Sequence, residues 1–184
     1  MLRSARAKAR AEKSPAVFKQ GDIQDLRLGK RFDAVLALFN VAGYQKTDEE
    51  FHRMLETAYV HLRKRGILVF DFWYGPAVMA EKPVARLKEV VTDKVEVLRF
   101  AEPLLDHRSH RVAVHYRVLC LRGRRVLADV EENHEVRFFF RPEILEALRE
   151  HGLKKLHLCE WMRLDVSPSR KTWNACVVVR KTAE

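Results

Sequence analysis

The sequence lacks the features that mark several common classes of protein. Its 184 residues include only three cysteines, Cys120, Cys159 and Cys176, which are odd in number and form no Cys-x-x-Cys pair. Their number and spacing argue against a disulfide framework or a cysteine zinc site and favour reduced thiols in a cytoplasmic protein. No apolar run approaches about twenty residues, so we expect no membrane span.

Loops that would support other enzyme classes are also missing. The sequence has no Walker loop and no Gly-x-Ser-x-Gly elbow, so no motif supports a nucleoside triphosphatase or serine hydrolase function. His107, His110, His115 and Cys120 are close in sequence, but strand alternation sends neighbours to opposite faces and no His-x-x-x-His pair occurs. We therefore predict no metal site.

The chain has fewer acidic than basic residues, which gives it a formal net charge of +10. A positive field attracts nucleic acids, acidic substrates and anionic cofactors. The basic residues are spread through the whole chain without the interleaved aromatic residues typical of single-strand binders. A basic enzyme is the favoured interpretation, and nucleic-acid binding is the alternative. With 47% apolar residues, the chain is long enough for one domain with a core.

Residues 31–76 contain the strongest pattern in the sequence. Continuous apolar runs at Asp33–Phe39 and Ile67–Phe70 are typical of parallel strands that are covered on both faces. The segment between them has an apolar stripe at three- and four-residue steps, opened by the capping-box spacing of Thr47 and Glu50. Basic residues 63–65 would complete its last turn before Gly66. This pattern predicts a right-handed βαβ crossover.

The segments before this unit are less regular. Residues 1–14 are basic and poor in acid, which is compatible with a transit peptide, a nucleic-acid arm or a helix; their alanine-rich composition favours a helix that stops before Pro15. Ala16–Gln20 is predicted as a short strand.

The second half of the chain changes to a two-residue period. Alternation at 111–118 and 126–140, with a turn signal at 122–124 and a further strand at 95–100, predicts antiparallel strands inserted at about residues 93–140. A helix follows from Pro142 to Gly152. Two closing strands, 153–164 and 173–181, are joined without a helix and must be antiparallel.

Ligands bind beyond the carboxyl ends of strands in open α/β sheets. That rule selects the segments 21–23, 39–44 and 71–75. Asp22 could bind a ligand or cap its loop, and Asn40 could line a site or belong to an ordinary turn. Trp73 and Tyr74 could wall a pocket or seal the sheet. His134, flanked by glutamates, could be a substrate-facing base or a structural histidine.

In order and spacing these motifs resemble the class I S-adenosylmethionine-dependent methyltransferases, over nearly the whole chain. The resemblance rests on four motif regions: Gln20–Ile23; Phe32–Val35 with Phe39–Val41; Arg65–Phe70; and Glu132–Arg137 with Thr172–Asn174. Arg65 replaces the usual glycine of the family's Pro-Gly-Gly turn. The resemblance implies a Rossmann-like mixed α/β sheet with an antiparallel C-terminal strand pair and an inserted antiparallel β subdomain.

The resemblance also implies roles for particular residues. S-adenosylmethionine would be the cofactor, and a small molecule that the sequence does not identify would accept the methyl group. The implied cofactor residues are Gly21, Asp22, Ile23, Phe39, Asn40 and Val41. The implied acceptor-side residues are Tyr44, Tyr74, His134 and Trp173, with His134 and Tyr44 as the catalytic candidates.

One departure from the family pattern matters more than the matches. The family's glycine-rich loop and the acidic end of its second strand precede everything seen here, and Met1 resembles an internal methionine of the family. The resemblance therefore predicts an N-terminally truncated single domain, 1–184, with impaired cofactor binding. In the family's strand order, 3-2-1-4-5-7-6, the strand at 33–39 would have an open edge.

Three functions remain open from the sequence. The first is methyl transfer to a small molecule. The second is a non-catalytic remnant that binds or oligomerises through the exposed sheet edge. The third is a basic nucleic-acid binder or nucleic-acid methyltransferase, although no Asn-Pro-Pro-Tyr motif supports it.

Overall fold

The computed structural model describes residues 2–182. Helices and strands alternate through the first half of this range, and strands dominate the second half. Their bounds are α1 Leu2–Ala11, β1 Phe32–Ala37, α2 Asp48–His61, β2 Leu62–Tyr74, α3 Gly75–Glu81, β3 Arg86–Val91, β4 Glu96–Asp106, β5 Arg111–Arg122, β6 Arg125–Phe139, α4 Arg141–Glu150, β7 Leu153–Glu160 and β8 Asn174–Lys181.

The strands form one mixed sheet with two parts. In the first part, β1 is parallel to β2, β8 is antiparallel to β2, and β7 is antiparallel to β8. In the second part, β3 to β6 are antiparallel neighbours, and the end of β6 joins β2 at Trp73 and Tyr74. The predicted fold class is confirmed: a mixed α/β sheet with an antiparallel C-terminal pair and an antiparallel insertion.

The central β1–α2–β2 crossover forms as predicted. The Glu50 amide donates to Thr47 Oγ1 at 3.2 Å, and the Thr47 amide donates to Glu50 Oε2 at 3.3 Å. This capping box satisfies two amides that the first turn leaves without helical partners. The apolar stripe of α2 packs on the sheet through Phe51, Met54 and Leu55, which are at most 3% exposed.

The end of α2 differs from the prediction. The helix stops at His61, so Arg63 to Arg65 lie in β2 and cannot neutralise the helix terminus. Lys181 of β8 supplies that cation instead, because its Nζ donates to the carbonyl oxygens of Tyr59 and Leu62 at 2.8 and 3.2 Å.

The predicted strand at Ala16–Gln20 is wrong, since these residues are irregular. A strand needs a neighbour to pair its amides and carbonyls, and within residues 2–182 only β2 pairs with β1. The Phe18 carbonyl instead accepts a hydrogen bond from Arg6 Nη2 of α1 at 3.1 Å. The helix prediction for 1–14 is confirmed for Leu2–Ala11, and Met1 lies outside the described residues.

Two strand ends differ from the prediction, and one strand was not predicted at all. β1 ends at Ala37 rather than Phe39, because Phe39 has a positive φ of 65°. β7 ends at Glu160 rather than at residue 164. The chain turns just after Glu160, because Met162 has a positive φ of 63°. The strand β3 was not expected; its residues are all exposed, so no buried face produces a recognisable pattern.

Candidate acceptor and cofactor site

Two sequence-predicted residues meet where β6 passes the segment that follows β1. Tyr44 lies in a short 3-10 turn, Ala42–Tyr44, and His134 lies on β6. Tyr44 Oη is 2.8 Å from His134 Nδ1, although the residues are 90 positions apart. His134 Nε2 is 3.1 Å from Glu132 Oε2. Tyrosine, imidazole and carboxylate thus form a continuous hydrogen-bonded chain.

Aromatic contacts surround this chain of groups. The Tyr116 ring meets the His134 ring edge-on, with centroids 5.3 Å apart, and Arg99 lies over the Tyr116 ring at 5.5 Å. Burial raises the pKa of the Tyr44 hydroxyl above its ordinary value, and the nearby Tyr116 and Glu132 add to that shift. Tyr44 therefore stays protonated at neutral pH and can donate a hydrogen bond.

A cleft of about 390 Å³ continues from Tyr116 toward the end of β2. The Trp73 and Trp173 rings meet at 5.6 Å in a T-shaped contact and form part of its wall. Tyr74 was predicted to face the acceptor, but its side chain is 9% exposed and packs in the main core. Strand alternation turns Trp73, not Tyr74, toward this cleft, and an acceptor role for Tyr74 stays a prediction.

The loop after β1 has an unusual backbone. Phe39 and Asn40 have φ values of 65° and 61°, a region that non-glycine residues rarely adopt. The Asn40 amide donates to Asp71 Oδ2 at 2.9 Å. Burial raises the pKa of Asp71 against the opposing effect of backbone hydrogen bonds from Asn40, Asp71 and Phe39. Phe39 itself is 85% exposed.

The segment 21–23 lies beside β1 and α2. Asp22 Oδ1 accepts a hydrogen bond from the Gln24 amide at 2.9 Å, so this side chain caps its own loop. Gly21 and Ile23 line an apolar groove of about 390 Å³ along β1 and α2. A cofactor role for Gly21, Asp22, Ile23, Phe39, Asn40 and Val41 stays a prediction.

Sequence reasoning did not assign roles to Tyr116 and Glu132. The hairpin pairs Tyr116 with Glu132 and Val114 with His134, but a register shift between Cys120 and Leu121 moves these pairs by one position from those that the turn at Gly123 sets. The turn alone would have paired Tyr116 with Glu131, so the sequence did not reveal this contact. Asp71 lies in the segment 71–75 that the strand-end rule selected, and it satisfies a backbone donor there, the amide of Asn40.

Two general properties of residues 2–182 bear on the site. No helix in this range is long and apolar enough to cross a membrane. No group of three or more His, Cys, Asp or Glu side chains in the same range is arranged to hold a metal ion.

Comparison with known proteins shows which proteins the chain is similar to in sequence. No protein-family model matches the chain. The chain is similar to the dTDP-3-amino-3,4,6-trideoxy-alpha-D-glucopyranose N,N-dimethyltransferase of Streptomyces venezuelae, with 31% identity over 151 residues. This match covers 82% of the chain and 62% of the relative, so the chain spans about three fifths of that protein's length.

Solved structures share the fold. A S-adenosylmethionine-dependent methyltransferase from Clostridium acetobutylicum ATCC 824 matches with a TM-score of 0.85 at 16% identity, covering 99% of this chain and 71% of that one. The cofactor-bound amino pentose methyltransferase CalS10 from Micromonospora echinaspora matches with a TM-score of 0.68 at 20% identity, covering 88% and 63%.

The chain therefore has the fold of the class I S-adenosylmethionine-dependent methyltransferases and is similar to them in sequence, as its motifs predicted. Within that class it is similar to sugar N-methyltransferases. S-adenosylmethionine is the cofactor of the family.

The residues present fit part of that cofactor. Asn40 Oδ1, in the loop after β1, and Asp71 Oδ1, in the last part of β2, are buried acceptors without a hydrogen-bond partner among the described residues. Such oxygens suit the ammonium group of a methionine.

Proposed function

We propose that the protein that carries this chain transfers a methyl group from S-adenosylmethionine to a nitrogen of a small amino-sugar acceptor. The names of the sugar-methyltransferase relatives support this class of acceptor. The observation that carries the proposal is the 2.8 Å contact between Tyr44 Oη and His134 Nδ1, which joins a hydroxyl and a base where acceptors are expected to bind.

The chain's own residues must prepare the acceptor nitrogen. An alkyl amine is protonated near neutral pH and has no free lone pair until it loses a proton. Tyr44 Oη can accept that proton while its own proton moves to His134 Nδ1. The tyrosine then stays neutral, as its raised pKa requires, and the charge ends on the imidazole. When bound, S-adenosylmethionine supplies an electrophilic methyl group.

The aromatic cleft would hold the acceptor. Its walls include Trp73, Trp173 and Tyr116, which offer flat apolar faces to a ring. Arg86 and Arg99 line the same cleft and would favour an acceptor that carries an anionic group. On the cofactor side we expect the loop 39–41, held by Asp71, to lie under the methionine part.

The proposal is tested with a form of the chain to which a glycine-rich loop segment of the family has been added at the N-terminus. Transfer of isotope-labelled methyl groups is measured with a dTDP-amino sugar and with the matching hydroxyl sugar. We expect label on the amino sugar only. His134→Gln should lower kcat by roughly 10²–10⁴-fold, as expected for loss of a general base.

His115→Gln is the matched control for that variant. His115 lies on the neighbouring strand β5, bonds Asn133 at 3.0 Å, and points to the opposite face from His134. Its activity should equal that of the unchanged enzyme. Methylation of the hydroxyl sugar alone, or equal loss in both histidine variants, would refute the proposal.

We also propose that the protein is cytoplasmic and that the chain forms a single domain. The three cysteines are free thiols, and Cys159 and Cys176 are buried, which suits the reducing cytoplasm. We propose that residues 1–184 form one domain into which the strands at about 93–140 are inserted. Limited proteolysis should then cut the insertion's turns before the β1–α2–β2 unit.

A second role is favoured by the outer edge of β1, which no strand within residues 2–182 covers. Leu36 on this strand is 60% exposed. An open strand edge can pair with the same edge of a second copy about a two-fold axis. Sedimentation should then report a dimer that Leu36→Lys abolishes and that Leu104→Lys, at a 73% exposed position elsewhere, leaves intact. A monomer at all concentrations would exclude this role.

A further inference from the structure

We infer that Glu132 is a positioning residue that fixes the tautomer of His134 and so keeps His134 Nδ1 ready to accept a proton. The inference rests on the proposed function, in which His134 acts as the base. It concerns a carboxylate that touches His134 and lies outside the path of the proton.

The hydrogen-bond geometry sets the tautomer. Glu132 Oε2 lies 3.1 Å from His134 Nε2. An ionised carboxylate can only accept hydrogen bonds, so the proton of the neutral imidazole must sit on Nε2. His134 Nδ1 is then left with its lone pair, which accepts the hydrogen bond from Tyr44 Oη at 2.8 Å.

The other tautomer would disable the same arrangement. With a proton on Nδ1, the imidazole would face the Tyr44 hydroxyl donor to donor and could not take its proton. The edge-on Tyr116 ring, 5.3 Å away and inclined at 83°, restricts rotation of the imidazole. Glu132 therefore selects between two tautomers of a ring that is held in one orientation.

Exposure limits the size of the effect. The Glu132 side chain is 63% exposed and the His134 side chain 31%, so water screens their interaction. Contacts of this kind shift an equilibrium by roughly two- to fivefold. We therefore expect the ratio of the Nε2-protonated to the Nδ1-protonated form to fall by about that factor in Glu132→Gln.

The test is nitrogen-15 NMR of the imidazole of His134 in the full chain, without cofactor or acceptor. The shifts of the two ring nitrogens report which one carries the proton. Glu131→Gln is the matched control, because Glu131 is the adjacent residue on β6, is 59% exposed, and contacts Arg117 at 3.7 Å on the other face. Tyr44→Phe removes the other partner of the ring.

We expect the Nε2-protonated form to dominate in the unchanged chain, in Glu131→Gln and in Tyr44→Phe, and to decline only in Glu132→Gln. A dominant Nδ1-protonated form, no change in Glu132→Gln, or an equal change in Glu131→Gln would overturn the inference. Because the readout needs no methyl transfer, failure of the enzymatic assay alone would refute the proposed function and leave the tautomer result standing.

Discussion

Asp71 stabilises the strained loop that follows β1. Substitution of Asp71 should therefore lower the free energy of unfolding by an amount that can be measured. Phe39 and Asn40 both adopt left-handed backbone, which costs roughly 1–2 kcal/mol for each residue that is not glycine. The Asn40 amide donates to Asp71 Oδ2 at 2.9 Å, and Asp71 is 5% exposed. The buried carboxylate therefore offsets part of the strain.

Asp71→Ala removes this acceptor and leaves the Asn40 amide unpaired. A hydrogen bond to a charged group contributes about 1.5–3 kcal/mol, whereas relief of the buried charge acts in the opposite direction. We expect the free energy of unfolding to fall by about 1–3 kcal/mol. Asp71→Asn keeps an acceptor oxygen and should cost less than the alanine variant.

The dependence on pH separates the two substitutions further. Burial raises the pKa of Asp71, so the folded state favours the protonated side chain. The resulting stabilisation is complete below the unfolded pKa of about 4 and is lost as the pH rises through the raised folded pKa. Because Asp71→Asn does not titrate, its stability relative to the unchanged chain should increase from about pH 4 to pH 7.

Urea unfolding, followed by tryptophan fluorescence, measures these differences. Asp33→Ala is the control, since Asp33 is an 83% exposed aspartate whose bonds to Arg63 should contribute at most about 1 kcal/mol. The reasoning fails if Asp71→Ala is as stable as the unchanged chain. It also fails if Asp71→Asn loses as much stability as Asp71→Ala.

Three further predictions concern other sites. Arg65→Gly should raise the free energy of unfolding by about 1 kcal/mol, because Arg65 has a φ of 62°; a loss in urea unfolding would contradict this. Thr47→Ala should lower it by about 1 kcal/mol through loss of the capping box, and unchanged stability would argue against that bond. Burial, and then the nearby His52, lowers the pKa of His151, so its contribution is present above about pH 6.5 and lost as the pH falls through the folded pKa. Thermal unfolding of His151→Gln should therefore depend less steeply on acid than that of the unchanged chain; equal slopes would count against the assignment.

The part of the fold that depends on local pattern could be predicted from the sequence. Two apolar runs around an amphipathic helix determine the β1–α2–β2 unit, and the Thr47–Glu50 spacing determines where α2 begins. The end of α2 could not be predicted in the same way. It depends on Lys181, which is distant in sequence and reaches the helix only after β8 is in place.

The candidate site shows the same limit. Tyr44 and His134 were each recognised from the sequence, but their contact across 90 positions requires the insertion to fold back onto the sheet. The left-handed backbone at Phe39 left no signal, whereas Asn40 is a residue type that tolerates this region. Tyr74 packs in the core because the register of β2 determines which of two adjacent aromatic residues faces the cleft, and the sequence alone does not show that register.

Titration calorimetry with S-adenosylmethionine tests most directly whether this chain supplies one part of a methyltransferase site. Two forms are compared, the 184-residue chain and an extended form with a glycine-rich loop segment of the family added at its N-terminus. We predict that the extended form binds the cofactor and that the 184-residue chain binds it at least roughly tenfold more weakly, a difference of about 1.4 kcal/mol. Equal affinities in the two forms, or no binding by the extended form, would contradict the account.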